Sequence, residues 1–268
     1  MNFRKFFSSF WRLVKPDATD ENWKFYGEKS PYFGVVSWSQ FRQENLNEQS
    51  IADFFATGEA YVETLTGIIR ATVAPDFRPL NAVDFGCGVG RLVIPLAKRC
   101  DKVTGIDVSP AMIDEAKKNC RKRNIENASF VSSLEDLSAR NGQFDFVNSF
   151  IVFQHIRPER GYDFFRQLIG LLQTGGIGAV QLTYCDPGGK RARLMQWVYR
   201  KFPLLYAAKN ARDGRAFAEP MMDMAEYSLN RIFRILQENG CGVCHVRFSR
   251  HGILGVLLVF KKERLPEL

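Results

Sequence analysis

The sequence predicts an α/β protein built on a mostly parallel sheet, and three observations carry that prediction. From residue 81 onward, short apolar runs alternate with apolar residues at helical spacing, the pattern of strands joined by crossover helices. A glycine-rich turn, "GCGVG" at 86–90, joins the first such run to the first helical pattern. The last two apolar runs, "CGVCHVRFS" and "GILGVLLVF", are linked by "RHG", too short for a crossover helix, so they pair antiparallel.

Taken in order, residues 1–15, "MNFRKFFSSFWRLVK", place Phe3, Phe6, Phe7, Phe10, Trp11 and Val14 on one helical face and the bases on the other. That amphipathic helix either packs on the domain or lies on anionic lipid. Residues 16–49 are mixed and rich in aromatics. A helix follows from Ser50, its expected N-cap, through "SIADFFATGEAYVETLTGIIRATV", with a break expected at Gly58. Pro75 and Pro79 separate it from the sheet domain.

Strands are expected at 81–85, 102–106, 128–132, 144–150 and 177–184, with helices at 90–99, 110–123 and 158–172. Ser109 followed by Pro110 is an N-cap and N1 pair for the second of these helices. After a basic stretch, "MAEYSLNRIFRILQENG" reads as a helix closed by Gly240, ahead of the antiparallel pair.

With 268 residues, 46% of them hydrophobic, the chain can bury one sizeable core or carry one domain with an appended subdomain. No apolar run reaches the ~20 residues of a bilayer span, and the N-terminus lacks the continuous apolar stretch of a secretion signal. The six cysteines follow no disulfide framework, and Cys241-x-x-Cys244 has no second pair to complete a zinc site, so a reduced, cytoplasmic chain without a metal is expected.

The net charge of +8 is concentrated: Arg4, Lys5, Arg12 and Lys15 face no acid within 1–15, and eight bases between 190 and 215 face only Asp213. These two segments are candidates for peripheral membrane contact, or for attracting an acidic or phosphorylated acceptor. A nucleic-acid backbone would suit the charge, but the aromatics fall at helical core spacing rather than as a stacking platform. Nucleic acid is therefore not the expected partner.

The glycine turn decides between cofactors by spacing. Dinucleotide folds use G-x-G-x-x-G/A, whereas Gly86, Gly88 and Gly90 form G-x-G-x-G with Arg91 where a small residue is needed. Asp107 ends the next strand, seventeen residues beyond Gly90, where a carboxylate accepts both hydroxyls of an adenosine ribose.

"VDFGCGVGRLVIPLA", "VTGIDVSPAMIDEAKKN", "FDFVNSFIVFQHI" and "LIGLLQTGGIGAV" together resemble, in order and spacing, the successive motifs of the class I S-adenosylmethionine-dependent methyltransferases. The resemblance covers about residues 81–182. It implies a three-layer, Rossmann-like sandwich with a seven-stranded, mostly parallel sheet and a C-terminal antiparallel hairpin. Added to it are an N-terminal helical extension or lid at 1–79 and a basic substrate-side insertion at 185–224, around a core of 80–184 and 225–263.

By the same resemblance, S-adenosyl-L-methionine would lie with its methionine part against Asp84, Gly86, Cys87, Gly88, Gly90 and Arg91. Asp107 would hold the ribose, with Val108 and Met112 against the adenine and Phe150 near the transferred methyl. Many relatives place an acid after the third strand for the adenine amino group. Here "FVSSLEDL" has Ser133 there, with Leu134 beside it and Glu135 or Asp136 as alternatives.

His155, just beyond the fourth strand, is the candidate general base, or else a structural histidine that caps the next loop. That strand lacks the Asn-Pro-Pro-aromatic signature of base-amine methylation, the cysteine of cytosine-carbon methylation and the metal-binding acids of catechol-type enzymes. What remains is a small-molecule or glycan acceptor, including a lipid-linked one, methylated at oxygen, with nitrogen as the alternative. The alternatives are a nucleic-acid methyltransferase and a non-catalytic scaffold that binds the cofactor. Tyr26, Tyr32, Phe33 and Trp38 are candidates for a lid over the cofactor, or for buried packing.

Overall fold

A computed structural model describes residues 19–250 and 253–263, the side chains of 190–193 excepted. The expected helix at 1–15 lies outside the described residues. In chain order the elements are α1 (Thr19–Lys29), α2 (Pro31–Val35), α3 (Glu48–Thr72), β1 (Asn81–Phe85), α4 (Val93–Ala97), β2 (Lys102–Ile106), α5 (Pro110–Lys122) and β3 (Ala128–Val131). They continue with β4 (Phe144–Ser149), α6 (Pro158–Leu171), β5 (Leu172–Cys185), α7 (Gly189–Lys201), α8 (Pro203–Arg212), α9 (Leu229–Glu238), β6 (Cys241–Arg250) and β7 (Leu254–Lys262).

The seven strands form one sheet in the order β3-β2-β1-β4-β5-β7-β6. The pairs among β1 to β5 are parallel, and β7 runs antiparallel to both β5 and β6. The order reverses direction between β1 and β4, and there the carboxyl ends of the strands open a crevice.

Strand residues alternate between two apolar layers, because successive side chains point to opposite faces. Ala82, Val103, Phe146 and Val259 meet Phe54, Val62 and Ile69 of α3, together with Met112 and Cys120 of α5. Val83, Val147, Val180 and Phe260 meet Phe165 and Leu168 of α6, together with Ile232 and Ile235 of α9. With both faces of the central strands covered, every residue of β4 except Asp145 is buried, Asn148 and Ser149 included.

Four local expectations are corrected. The cap of α3 is Asn47, and Ser50 stands at N3, completing a reciprocal capping box with it. The helix passes Gly58 unbroken, since a Cβ there would collide with the Arg91 carbonyl; glycine is required by close helix packing. The helix expected at 90–99 shortens to α4 because 86–92 remain in the glycine turn.

Residues 224–228 form no regular element, so α9 starts only at Leu229, while Gly240 does take the left-handed conformation after it (φ 80). Pro203 follows the end of α7 and stands in the first turn of α8, where a proline forfeits no helical hydrogen bond. The Ser109 cap of α5 forms as expected, accepting from Met112 N at 3.4 Å.

Candidate functional site

The carboxyl ends of β1, β2 and β4, roofed by α1, the α2 corner and α3, enclose a cavity of ≈ 1100 Å³. Asp84, Gly86, Cys87, Gly88 and Arg91 line it from the first turn, and Asp107, Val108 and Met112 from the second. Ser133, Leu134, Phe150 and His155 complete the expected set. Gly90 does not belong to this wall: it backs onto Ala116 of α5, and its left-handed conformation (φ 86) serves the turn and its packing.

The glycine turn is shaped by φ values of +76 at Gly86 and +51 at Gly88, which L side chains rarely adopt. The N–H groups of Gly86 and Cys87 both donate to the Ile106 carbonyl, at 2.8 and 2.9 Å, stitching the turn to the end of β2. A Cβ on Gly86 would run into Val152, and one on Gly88 into Val35, so bare backbone faces the cavity at both positions.

Asp107 is held from two sides: Oδ2 accepts from Gly88 N and Oδ1 from Ser109 N, each at 2.9 Å. Burial pushes its carboxyl up to about 6, against the opposing effect of those two N–H groups. Asp84 is 1% exposed and accepts from Asn148 Nδ2 at 2.7 Å. Burial raises its carboxyl to about 7, opposed by the Asn148 bond and the Arg91 charge. Arg91 is itself buried, its Nη1 donates to Thr57 at 3.4 Å, and its Nε has no hydrogen-bond partner.

The polar chain continues to Tyr61, whose hydroxyl donates to Asn148 Oδ1 at 3.1 Å. The Tyr61 ring stacks on Phe150 with centroids 4.0 Å apart, making a flat aromatic wall beyond β4. Ile151, next along that wall, sits at φ 60, an outlier for a β-branched residue and a marker of a segment held under constraint.

At the third strand's end, Asp136 turns back and accepts from the N–H groups of Ser132 and Ser133, while Asp136 N donates to Ser133 Oγ. Of the two acids named as alternatives there, Glu135 lines the cavity and Asp136 is absorbed in the turn.

His155 reaches the cavity with both ring nitrogens engaged. Nδ1–H donates to the Asp223 carbonyl at 2.9 Å, which leaves Nε2 to accept from the Gln154 amide at 3.0 Å. The ring also meets Trp23 edge-on at 4.8 Å. Burial lowers its pKa to about 4, so it is neutral at physiological pH.

Of the aromatics named as a lid, Tyr26, Tyr32 and Phe33 are buried, whereas Trp38 lines the cavity and is 57% exposed. Tyr32 bonds to Glu115 and Asn119 of α5, and Tyr26 donates to the Pro220 carbonyl at 2.8 Å. They pin the N-terminal segment to the domain.

Tyr61, Trp23, Asn148 and Ile151 were not singled out from sequence. Only Asn148 carried a signal there, as an amide inside the apolar run "FDFVNSF". The others come from helices or backbone geometry that local pattern does not reveal.

Comparison with known proteins matches residues 82–176 to the family described as methyltransferase domain. A ubiquinone biosynthesis O-methyltransferase of Methylocella silvestris is 33% identical over 114 residues, 41% of this chain and 43% of that protein. A 23S rRNA (uracil(1939)-C(5))-methyltransferase of Alcanivorax borkumensis is 41% identical over 58 residues, 22% of this chain and 12% of that protein. The chain thus spans less than half the length of both curated relatives.

Among solved structures, a magnesium protoporphyrin IX methyltransferase from Synechocystis PCC 6803, with bound SAH, superposes with a TM-score of 0.59 at 18% identity. The match covers 89% of this chain and 99% of that one, a likeness of fold.

Proposed function

Because residues 82–176 belong to the methyltransferase domain family within a class I fold, we propose that the chain is an S-adenosylmethionine-dependent methyltransferase acting on a hydroxyl of a small-molecule acceptor. The observation that carries the reading is Asp107, whose two carboxylate oxygens are oriented by Gly88 N and Ser109 N at the edge of the cavity, beside the glycine turn. A carboxylate so placed can accept from both hydroxyls of a ribose.

Other residues fit the same cofactor. Gly86 and Gly88 allow close approach of a ligand to the backbone, and the unpartnered Nε of the buried Arg91 is a donor suited to a carboxylate. The adenine would lie between Val108, Met112 and Leu134, with Ser133 and Glu135 as its polar neighbours. When bound, S-adenosylmethionine supplies a methyl group on a sulfonium, already activated for in-line displacement. The chain's task is to align an acceptor and exclude water.

Tyr61 and Phe150 provide a flat wall for the acceptor, and Trp23, Met222 and Met224 add apolar lining to the same cavity. The apolar character of these walls supports an acceptor carrying a ring or other apolar body over a glycan. Oxygen as the methylated atom is supported by the O-methyltransferase name of the Methylocella silvestris relative.

Taking the acceptor's proton falls to His155, with the Gln154 amide swinging off Nε2 as the acceptor hydroxyl arrives. Burial lowers the His155 pKa to about 4, so the ring is neutral and holds an unprotonated Nε2 ready to accept.

Calorimetric titration with S-adenosylhomocysteine across pH tests the reading. Asp107 must be ionised to accept from the ribose, and its pKa of about 6 means the competent form is lost as pH falls through that value. The expected result is one site whose affinity drops roughly tenfold between about pH 7.5 and pH 5, following the ionised fraction. A flat profile removes Asp107 from the site, and no binding at all removes the cofactor.

Folding stability runs the other way for this group. Its native pKa lies above the ordinary aspartate value of 3.8, so the native state binds more protons, and the Asp107 contribution is lost as pH rises from about 4 to about 6.

A further inference from the structure

The α7–α8 hairpin shows large apolar side chains to solvent: Leu194 is 58% exposed, Met195 45%, Trp197 53%, Phe202 55%, Leu204 58% and Leu205 52%. Three of these six crowd the corner between the helices, where a water-facing turn ordinarily carries polar residues. The hairpin is nonetheless firmly seated. Tyr206 and Ala207 are buried, Tyr199 packs on Tyr206 with centroids 5.5 Å apart, and Asn210 Nδ2 donates to the Glu219 carbonyl at 2.9 Å. The exposed set is therefore presented by an anchored scaffold.

The same segment is strongly basic. Between 190 and 215 the sequence has eight Lys and Arg residues against Asp213 alone. Lys209 and Arg212 share that one acid, at 2.7 and 3.3 Å, while Lys201 and Arg215 stand on the exposed surface. Exposed Trp, Phe and Leu set among bases match the two parts of an anionic bilayer surface, an acyl boundary below a layer of negative headgroups. A second copy of this chain would bring like charges together, so charge complementarity selects the lipid surface over self-association.

The hairpin also adjoins the cavity. Arg200 of α7 bridges to Asp223 at 2.9 Å, and the Asp223 carbonyl accepts from His155. Met222 and Met224, on either side of Asp223, line the cavity wall. A surface docked through α7–α8 would lie beside the opening through which an apolar acceptor enters.

We propose that the α7–α8 corner docks the protein on an anionic lipid bilayer, with Trp197, Phe202 and Leu205 entering the headgroup region and Lys201 and Arg215 contacting the lipid phosphates. The test is co-sedimentation of the full chain with sucrose-loaded vesicles. Binding is expected to mixed phosphatidylglycerol and phosphatidylcholine, to weaken with added salt, and to be absent on phosphatidylcholine alone.

The triple variant Trp197→Ala/Phe202→Ala/Leu205→Ala is expected to lower the partition coefficient at least about tenfold, and Lys201→Glu to lower it further. All four positions are exposed, so the thermal midpoint and the affinity for S-adenosylhomocysteine should stay at wild-type values; that keeps this inference separable from the methyl-transfer reading. Undiminished vesicle binding by the triple variant overturns the proposal. So does a wild type that ignores vesicles, or one that self-associates through this face while the triple variant stays monomeric.

Discussion

Replacing Asp107 with alanine is expected to weaken S-adenosylhomocysteine binding by about 10²-fold or more. Two hydrogen bonds from ribose hydroxyls to a carboxylate, each worth about 1.5–3 kcal/mol, are lost together. The substitution also frees the N–H groups of Gly88 and Ser109, which now both donate to Asp107. Part of the loss would therefore come from a looser turn.

Asp107→Asn separates the two contributions, since it keeps one oxygen acceptor and the side-chain shape while removing the charge. Its affinity should fall between wild type and Asp107→Ala, and the step in its pH profile near 6 should be lost, leaving any change near 7 to Asp84. An alanine variant that binds within about threefold of wild type would leave Asp107 as no more than a structural tie between the β1 and β2 turns.

Gly86→Val is expected to abolish measurable cofactor binding and to lower stability by about 2–4 kcal/mol. Two costs combine at this position. Its φ of +76 is strained for any L side chain and more so for a β-branched one, and the new side chain would enter the space of Val152.

The costs can be separated with Val152→Ala, which opens space without altering φ. The double variant Gly86→Ala/Val152→Ala should recover part of the stability lost in Gly86→Ala, read by urea unfolding, and leave the backbone part in place. Wild-type stability and affinity in Gly86→Val would mean that the turn does not hold the conformation on which the cofactor cradle depends.

The reach of sequence reading follows from the range of the interactions concerned. The strands from β1 to β5, the Ser109–Pro110 cap, the glycine turn and Asp107 were legible because each is specified within a few residues. Ser50 was read as a cap because its pattern resembles one, but Asn47 is the cap and Ser50 the reciprocal partner. Gly58 was read as a helix break because nothing local shows that the Arg91 carbonyl lies against it.

The cavity's other wall was hidden for the same reason. Tyr61 meets Asn148, 87 positions away, and His155 meets the Asp223 carbonyl, 68 positions away. That second contact changes the reading of His155 most, because it fixes the tautomer and, with Gln154, leaves no idle nitrogen. Ile151 was illegible in another way: its side chain is ordinary, and only its backbone conformation marks it.

The basic insertion was legible as charge, but which of its apolar residues would be buried was not. In the fold Tyr206 is buried, and Trp197, Phe202 and Leu205 remain outside.

The central claim is methyl transfer to the oxygen of a small acceptor. It is tested most directly by incubating the protein with methyl-labelled S-adenosylmethionine and, in parallel, phenols with apolar substituents, aliphatic alcohols, amines and RNA, and then identifying the labelled product by NMR. The account predicts a new methoxy group on a phenol-type acceptor, formed by the wild type and not by Asp107→Ala. Label carried into RNA alone, or transfer to no acceptor by a protein that binds the cofactor, would contradict it.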